Sequence, residues 1–225
     1  MLGGMSKLFK SLVNEAAGKQ DNQPVLPEIA GLRIGATVDL DLLAARMHAE
    51  EMNFEAVEDT RIIVAQGLLD LEEGAHVARY YFRDDTMLQL LLQGGLAEQN
   101  IQEVTYFQPW DSRYPANRQD WEQWFGRGGP IGNPTYVIDD VSYDRIWFQD
   151  DGWSQPVSFH ERVYSDKTGL SYDDIQQHAM LYGRDVGDSD TGEYLLVAAE
   201  EPVGGEPTIE LMVGIDIGPS QMQVI

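Results

Sequence analysis

The chain alternates between apolar and polar positions over much of its length, and the period is mostly two. Thr208 to Ile217 gives the clearest case: Ile209, Leu211, Val213, Ile215 and Ile217 alternate with Thr208, Glu210, Met212, Gly214 and Asp216. A period of two predicts a half-buried strand. Glu193 to Ala199 is apolar on both faces and predicts a central strand. Pro202 to Pro207, with two glycines, connects them. Further strands are predicted at Arg61–Leu69, His76–Phe82, Met87–Gln93, Ile101–Phe107 and Val157–Tyr164. Turn chemistry separates several of these, at Glu73-Gly74, Asp84-Asp85 and Gly94-Gly95. Tyr136–Ile138 and Val141–Trp147 flank Asp139-Asp140, which predicts a hairpin. Gln176–Arg184 fits helical spacing in part, through Ile175, His178, Ala179 and Tyr182, and its second half reads as a strand.

Helical spacing is rarer. It is predicted at Leu42–Glu51, at Asn117–Phe125 and at the N-terminus. There, Met5, Leu8, Phe9, Leu12, Val13 and Ala16 fall on one helical face. Ser6 suits a cap at the start, and Gly18 suits the end. Gln20 to Pro27, with two prolines, reads as a linker. No strand-then-helix rhythm recurs, which argues against a parallel doubly wound sheet. The expectation is therefore an α+β chain with few helices. Residues 1–19 form an amphipathic basic helix, 20–27 a linker, and 28–225 a single strand-rich acidic domain with a largely antiparallel twisted sheet.

Composition sharpens this picture through charge. The 225 residues carry a net charge of −23 and no cysteine. Disulfides, thiolate metal sites and a cysteine nucleophile are excluded. Residues 1–20 hold Lys7, Lys10 and Lys19 against Glu15, a net of +2, and the remainder carries −25. A body of that sign, with its arginines scattered singly, speaks against nucleic acid. Acidity of this kind ordinarily serves solubility, and its sharper reading is a basic partner. The basic amphipathic head suits docking to an anionic membrane surface or to a partner groove, or packing on its own domain. No apolar run approaches a membrane span, and no continuous apolar stretch at the N-terminus predicts a secretory signal.

Motifs for chemistry are incomplete. Gly128-Gly129-Pro130-Ile131-Gly132 lacks the lysine of a phosphate loop and reads as a turn. Ser154 has Pro156 where a nucleophile elbow needs glycine. His48, His76, His160 and His178 have no metal-ligand spacing. The acidic loop around Asp188 and Asp190 places Glu193 where a calcium loop needs glycine. No metal or cofactor is predicted. Tyr106–Phe125 concentrates aromatic residues beside carboxylates, and Trp110, Tyr114, Trp121 and Trp124 form a candidate partner patch. Trp121, Trp124 and Phe125 also fit a helix face meeting a core, and a sugar cleft with two carboxylates is a further reading. Asp111, His160 and Glu161 are the first suspects for a hydrolase assembled only by folding.

Several stretches, in order, resemble the YjfK-like family of bacterial proteins, a domain of unknown function. They are Leu32-Arg33-Ile34-Gly35-Ala36, Arg79-Tyr80-Tyr81, Ile131-Gly132-Asn133-Pro134 and Tyr143-Asp144-Arg145-Ile146-Trp147, then Ala179 to Arg184 and Met212-Val213-Gly214-Ile215-Asp216. The resemblance spans about residue 28 to the C-terminus. It implies a bacterial, cytoplasmic protein with no established activity and no catalytic residues to carry over. It also implies an association with a phage-shock-type membrane-remodelling protein, whose gene often lies beside those of family members.

These readings favour a non-enzymatic interaction module over an enzyme. The N-terminal helix would dock it to a membrane-associated protein complex or, peripherally, to the inner membrane. Leu8, Phe9 and Leu12 would supply apolar contact, and Lys7 and Lys10 charge. A carboxylate-based hydrolase, carbohydrate-directed in one version, and an acidic protein covering a basic partner surface stand as alternatives.

Overall fold

The computed structural model describes residues 26–225, apart from 149 and 188–190. The predicted N-terminal helix, most of the linker and the Asp188–Asp190 loop lie outside the described residues.

The alternating segments form strands, and the strands close on themselves. β1 (Thr37–Leu40) precedes a short helix, α1 (Leu43–Met47). Four strands follow as a meander: β2 (Arg61–Asp70), β3 (Ala75–Phe82), β4 (Met87–Gln93) and β5 (Ile101–Arg113). Next come helix α2 (Arg118–Phe125) and the hairpin β6 (Thr135–Ile138) and β7 (Val141–Arg145). A second meander holds β8 (Val157–Tyr164), β9 (Tyr172–Asp185), β10 (Gly192–Pro202) and β11 (Thr208–Asp216). The short strand β12 (Met222–Val224) ends the chain.

Two seams join the meanders. β5 pairs with β11 from Thr105↔Asp216 to Arg113↔Ile209, and β2 pairs with β8 from Gln66↔Tyr164 to Leu68↔Arg162. All pairings are antiparallel, so β2-β3-β4-β5-β11-β10-β9-β8 is a closed barrel of eight strands. Irregular register at Ile63/Ala65, Leu91/Leu92 and Leu211/Met212 supplies the local bending that closure requires. The fold is thus mostly β, which corrects the α+β expectation. The antiparallel strand-rich body and the scarcity of helices hold.

Closure also changes the meaning of the alternation. Bonds that skip a strand identify the inward face: Arg79 on β3 reaches Glu161 on β8 and Gln177 on β9, neither of which adjoins β3. The register then aligns Gly67, Arg79, Gln89, Thr105 and Asp216 along the inner wall. The polar positions of the Thr208 strand therefore face the lumen rather than open solvent. The apolar set, Ile209, Leu211, Val213 and Ile215, lies on the outer wall and is itself buried.

An outer layer covers that wall. On one side, Phe54 packs edge-on against Tyr106 at 5.8 Å, and Gln66 Nε2 donates to the Pro27 carbonyl at 3.0 Å. On the other, Phe125 of α2 stacks on His178 at 3.9 Å, and Tyr136 of β6 meets Tyr182 at 5.5 Å. A strand with the lumen on one face and this layer on the other is apolar on both, as β10 is. Asn117 caps α2 by accepting from the Asp120 N–H at 3.0 Å.

Local outcomes differ in extent. Tyr172–Asp185 is strand throughout, because pairing with both β8 and β10 overrides helical spacing. The predicted Leu42–Glu51 helix divides into α1 and a 3₁₀ turn at Ala49–Glu51. β5 runs six residues beyond the expected Phe107, because β11 holds its far end. β1 and β12, too short to alternate visibly, pair with each other.

Candidate functional site

The inner wall carries a polar cluster at mid-barrel. Arg79 is 4% exposed and Glu161 fully buried. Arg79 Nη1 donates to Glu161 Oε2 at 2.6 Å and to Gln177 Oε1 at 3.0 Å, and its Nε donates to Gln89 Oε1 at 2.9 Å. Gln177 Nε2 donates back to Glu161 Oε2 at 2.9 Å, and the Tyr81 hydroxyl donates to Glu161 Oε1 at 2.8 Å. Gly67 makes room for this carboxylate, since a Cβ there would stand 1.8 Å from Glu161 Oε1. Burial is the largest influence and would lower the basicity of Arg79, but Glu161, Tyr81 and Glu200 together outweigh it and hold the guanidinium charged. Glu200 on β10 faces the same lumen across from Gln177. Burial, then the nearby Glu161 charge, push its carboxyl up to about 8.

A second acidic group sits toward the other end of the barrel. The Tyr194 hydroxyl donates to Asp216 Oδ2 at 2.6 Å. Glu103, two residues before the Thr105 that pairs with Asp216, is pushed up to about 7 by burial and then by the Asp216 charge. Its Oε2 is buried without a hydrogen-bond partner.

The outer wall holds a third buried carboxylate, Glu193, fully shielded from solvent. Its Oε1 accepts from the Phe54 N–H at 2.6 Å. Its Oε2 accepts from the Tyr143 hydroxyl at 2.7 Å and from Arg184 Nη2 at 2.7 Å. Asn53 Nδ2 donates to the same Tyr143 hydroxyl at 2.9 Å. Glu193 thereby ties the segment before β2 to β7, β9 and the barrel wall.

The sequence suspects are dispersed. Glu161 faces the lumen, whereas its neighbour His160 points outward, half exposed, with Asp174 at 3.9 Å. Adjacent strand residues face opposite sides, so the pair cannot act together. Asp111 pairs with Arg113 at 2.9 Å near the end of β5, and the three do not converge. Of the aromatic patch, Trp121 is buried beneath α2, Trp124 lies partly buried under Arg113 at 5.3 Å, Trp110 is partly buried, and Tyr114 is exposed. The core reading fits Trp121. Lys7, Leu8, Phe9, Lys10 and Leu12 lie outside the described residues. Among the described residues no group of three or more His, Asp or Glu side chains could hold a metal ion, and no helix is long and apolar enough to cross a membrane.

Sequence reasoning passed over Arg79, Gln89, Gln177 and Glu200. For Arg79, Gln89 and Glu200 a signal was available, since each is a polar residue within or at the end of a strongly apolar strand, as Gln89 is among Met87, Leu88, Leu90, Leu91 and Leu92. Gln177 sits among Asp173, Asp174, Gln176 and His178 and stands out in no such way.

The fold and the cluster define an antiparallel β-barrel whose lumen is bridged by a buried ion pair. The chain belongs to the family described as Protein of unknown function (DUF2491), whose model matches residues 8–223. It is similar to the uncharacterized protein YjfK of Escherichia coli (strain K12), 26% identical over 227 residues, covering 98% of this chain and 100% of that protein. The resemblance seen in the ordered motifs is thereby established. No solved structure matches the chain.

Proposed function

We propose that this protein is a non-enzymatic interaction module whose acidic barrel presents surfaces to partners. Its basic N-terminal segment docks it to a membrane-associated protein complex. The observation that carries this reading is the bridged lumen. An eight-stranded barrel is just wide enough to be filled by its own side chains or to hold one small ligand. Here Arg79 spans from β3 to Glu161 and Gln177 through the middle of that space. Function then falls to the outer surface and to the charge-separated head. The gene association implied by the family resemblance makes a phage-shock-type membrane-remodelling protein the first partner to test.

The test is affinity purification of the full chain from its own host beside a Leu8→Asp, Phe9→Asp variant. Partner recovery should fall at least about tenfold, since two buried aliphatic or aromatic contacts are each worth about 1.5–3 kcal/mol. Unchanged recovery overturns the docking role. Flotation of both proteins with anionic vesicles separates a lipid contact from a protein contact.

One observation favours a second reading, a carboxylate hydrolase. Glu161 is ion-paired with Arg79 while Glu200 nearby is held toward its protonated form, and two carboxylates in unlike surroundings are the pattern of an acid–base pair. Full burial of Glu161 weighs against it. Hydrolysis of a chromogenic glycoside that is abolished by Glu200→Gln would favour this reading.

A further inference from the structure

The hairpin of β6 and β7 extends the barrel wall outward from β9 and ends in an edge that is unpaired among the described residues. β7 continues the pairing of β9 through Asp144↔Gly183 and Arg145↔Tyr182, and β6 then pairs, among the described residues, with β7 alone. The turn residues Asp139 and Asp140 have φ of 45° and 61°. That geometry is the two-residue type I′ turn, which makes Ile138 and Val141 a mutually hydrogen-bonded pair. Bonding alternates along an antiparallel ladder. Tyr136 and Ile138 therefore commit their backbone groups to β7, as does Pro134, whose carbonyl accepts from the Arg145 N–H at 2.8 Å. Thr135 and Val137 turn their N–H and C=O groups to the free side. Both side chains are exposed, Val137 at 58%.

This edge is held in place before any partner arrives. Tyr143 is fully buried, and Tyr136 packs on Tyr182. Arg145, 5% exposed, binds main-chain carbonyls among the described residues: Phe148 and Asp150 at 2.7 Å, Gly152 at 2.8 Å, and Gly132. Among the described residues Arg145 therefore forms no ion pair with the neighbouring carboxylates. Asp139, Asp140 and Asp144 are all exposed, and none has an ion-pair partner among the described residues. No other Lys or Arg occurs between 135 and 145.

We propose that the free edge of β6 docks an extended, lysine- or arginine-bearing segment of a partner protein, which adds to the sheet as a further strand. Backbone groups of Thr135 and Val137 give the pairing, and the three carboxylates choose a basic segment. Charge also decides against a second copy of this chain, because apposing two bodies of net −25 brings like charge to the same edge. The site is separate from the N-terminal docking proposed above.

The experiment uses the full chain and a synthetic alternating Lys-Thr peptide of about eight residues, near the common length of strands. Controls are the Glu-Thr equivalent and a Lys-Thr peptide N-methylated at alternate residues. Binding is followed by amide chemical shifts and calorimetry at about 20 and about 300 mM salt, which straddle the range where surface charges become screened. The expected result is shifts centred on Thr135 and Val137, with affinity falling at the higher salt. The N-methylated and Glu-Thr peptides should bind at least about tenfold more weakly, the loss of roughly one interaction's free energy. Val137→Pro should lose binding without losing a β7 ladder bond, since the Val137 N–H points outward. If that variant misfolds, Asp139→Asn with Asp140→Asn should still weaken binding and flatten the salt dependence. Leu8→Asp with Phe9→Asp should leave peptide binding intact, which keeps this outcome distinct from the N-terminal one. Equal binding of the N-methylated or Glu-Thr peptide, no binding, or self-association removed by Val137→Pro would each overturn the proposal.

Discussion

Glu161 is positioned by what its neighbours lack as much as by what they offer. Gly67 leaves it space, while Arg79, Gln177 and Tyr81 satisfy its oxygens. Removing one partner of a buried ion pair strands the other charge, at a cost of about 3–5 kcal/mol. Glu161→Ala should therefore lower unfolding free energy by about that amount in urea titration, whereas Glu161→Gln, which keeps shape and hydrogen-bonding capacity, should lose less. Equal, small losses for both would mean that the pair contributes little. Before folding, Glu161 was legible only as a carboxylate next to a histidine. The His160 contact was the wrong inference because strand alternation sends the two to opposite faces.

Among the elements, the strands were the most legible, because burial on one or both faces writes itself into the period. Met87–Gln93 and Val157–Tyr164 carry the same limits in the sequence pattern and in the structure. The seams were illegible: nothing in the period of β5 says that β11 will meet it, since such a pairing depends on residues about a hundred positions away. The outer layer was equally hidden. Its attachment before β2 rests on Glu193, which looked like one carboxylate of an acidic loop. Glu193→Gln retains an acceptor for the Phe54 N–H but removes the charge that Arg184 faces. Amide exchange across Asn53–Glu55 should speed up at least about tenfold, equivalent to about 1.4 kcal/mol of local opening. Exchange in β3 and β4 should stay unchanged. Uniform acceleration over the whole chain would show that Glu193 supports global stability instead of this attachment.

For the whole molecule, acidity and closure meet in the dependence of stability on pH. Glu103 at about 7 and Glu200 at about 8 are both raised above their ordinary 4.5. The native state then binds protons more tightly than the unfolded chain. Their favourable contribution is complete below about pH 4.5 and is lost as pH rises through about 7 and then about 8. Glu103→Gln should be neutral near pH 4 and stabilising by about 1–2 kcal/mol at pH 8, a difference that thermal unfolding at the two values would measure. A gain of the same size at both pH values would contradict the assignment.

The two seams have a consequence for how the chain can be divided. β2 to β5 and β8 to β11 are each a run of neighbours in sequence, and α2, β6 and β7, which fall between them, are an insertion on the outside of the wall. The barrel is thus two half-shells, each built from local contacts, clasped along two long-range edges and pinned through the middle by an ion pair whose members are 82 residues apart. Local meanders form quickly and distant seams late. Between those events each half exposes two bare edges, and the charges of Arg79 and Glu161 remain unmatched until the halves meet. The ion pair is therefore completed only when both half-shells are in place, since Arg79 comes from one and Glu161 from the other.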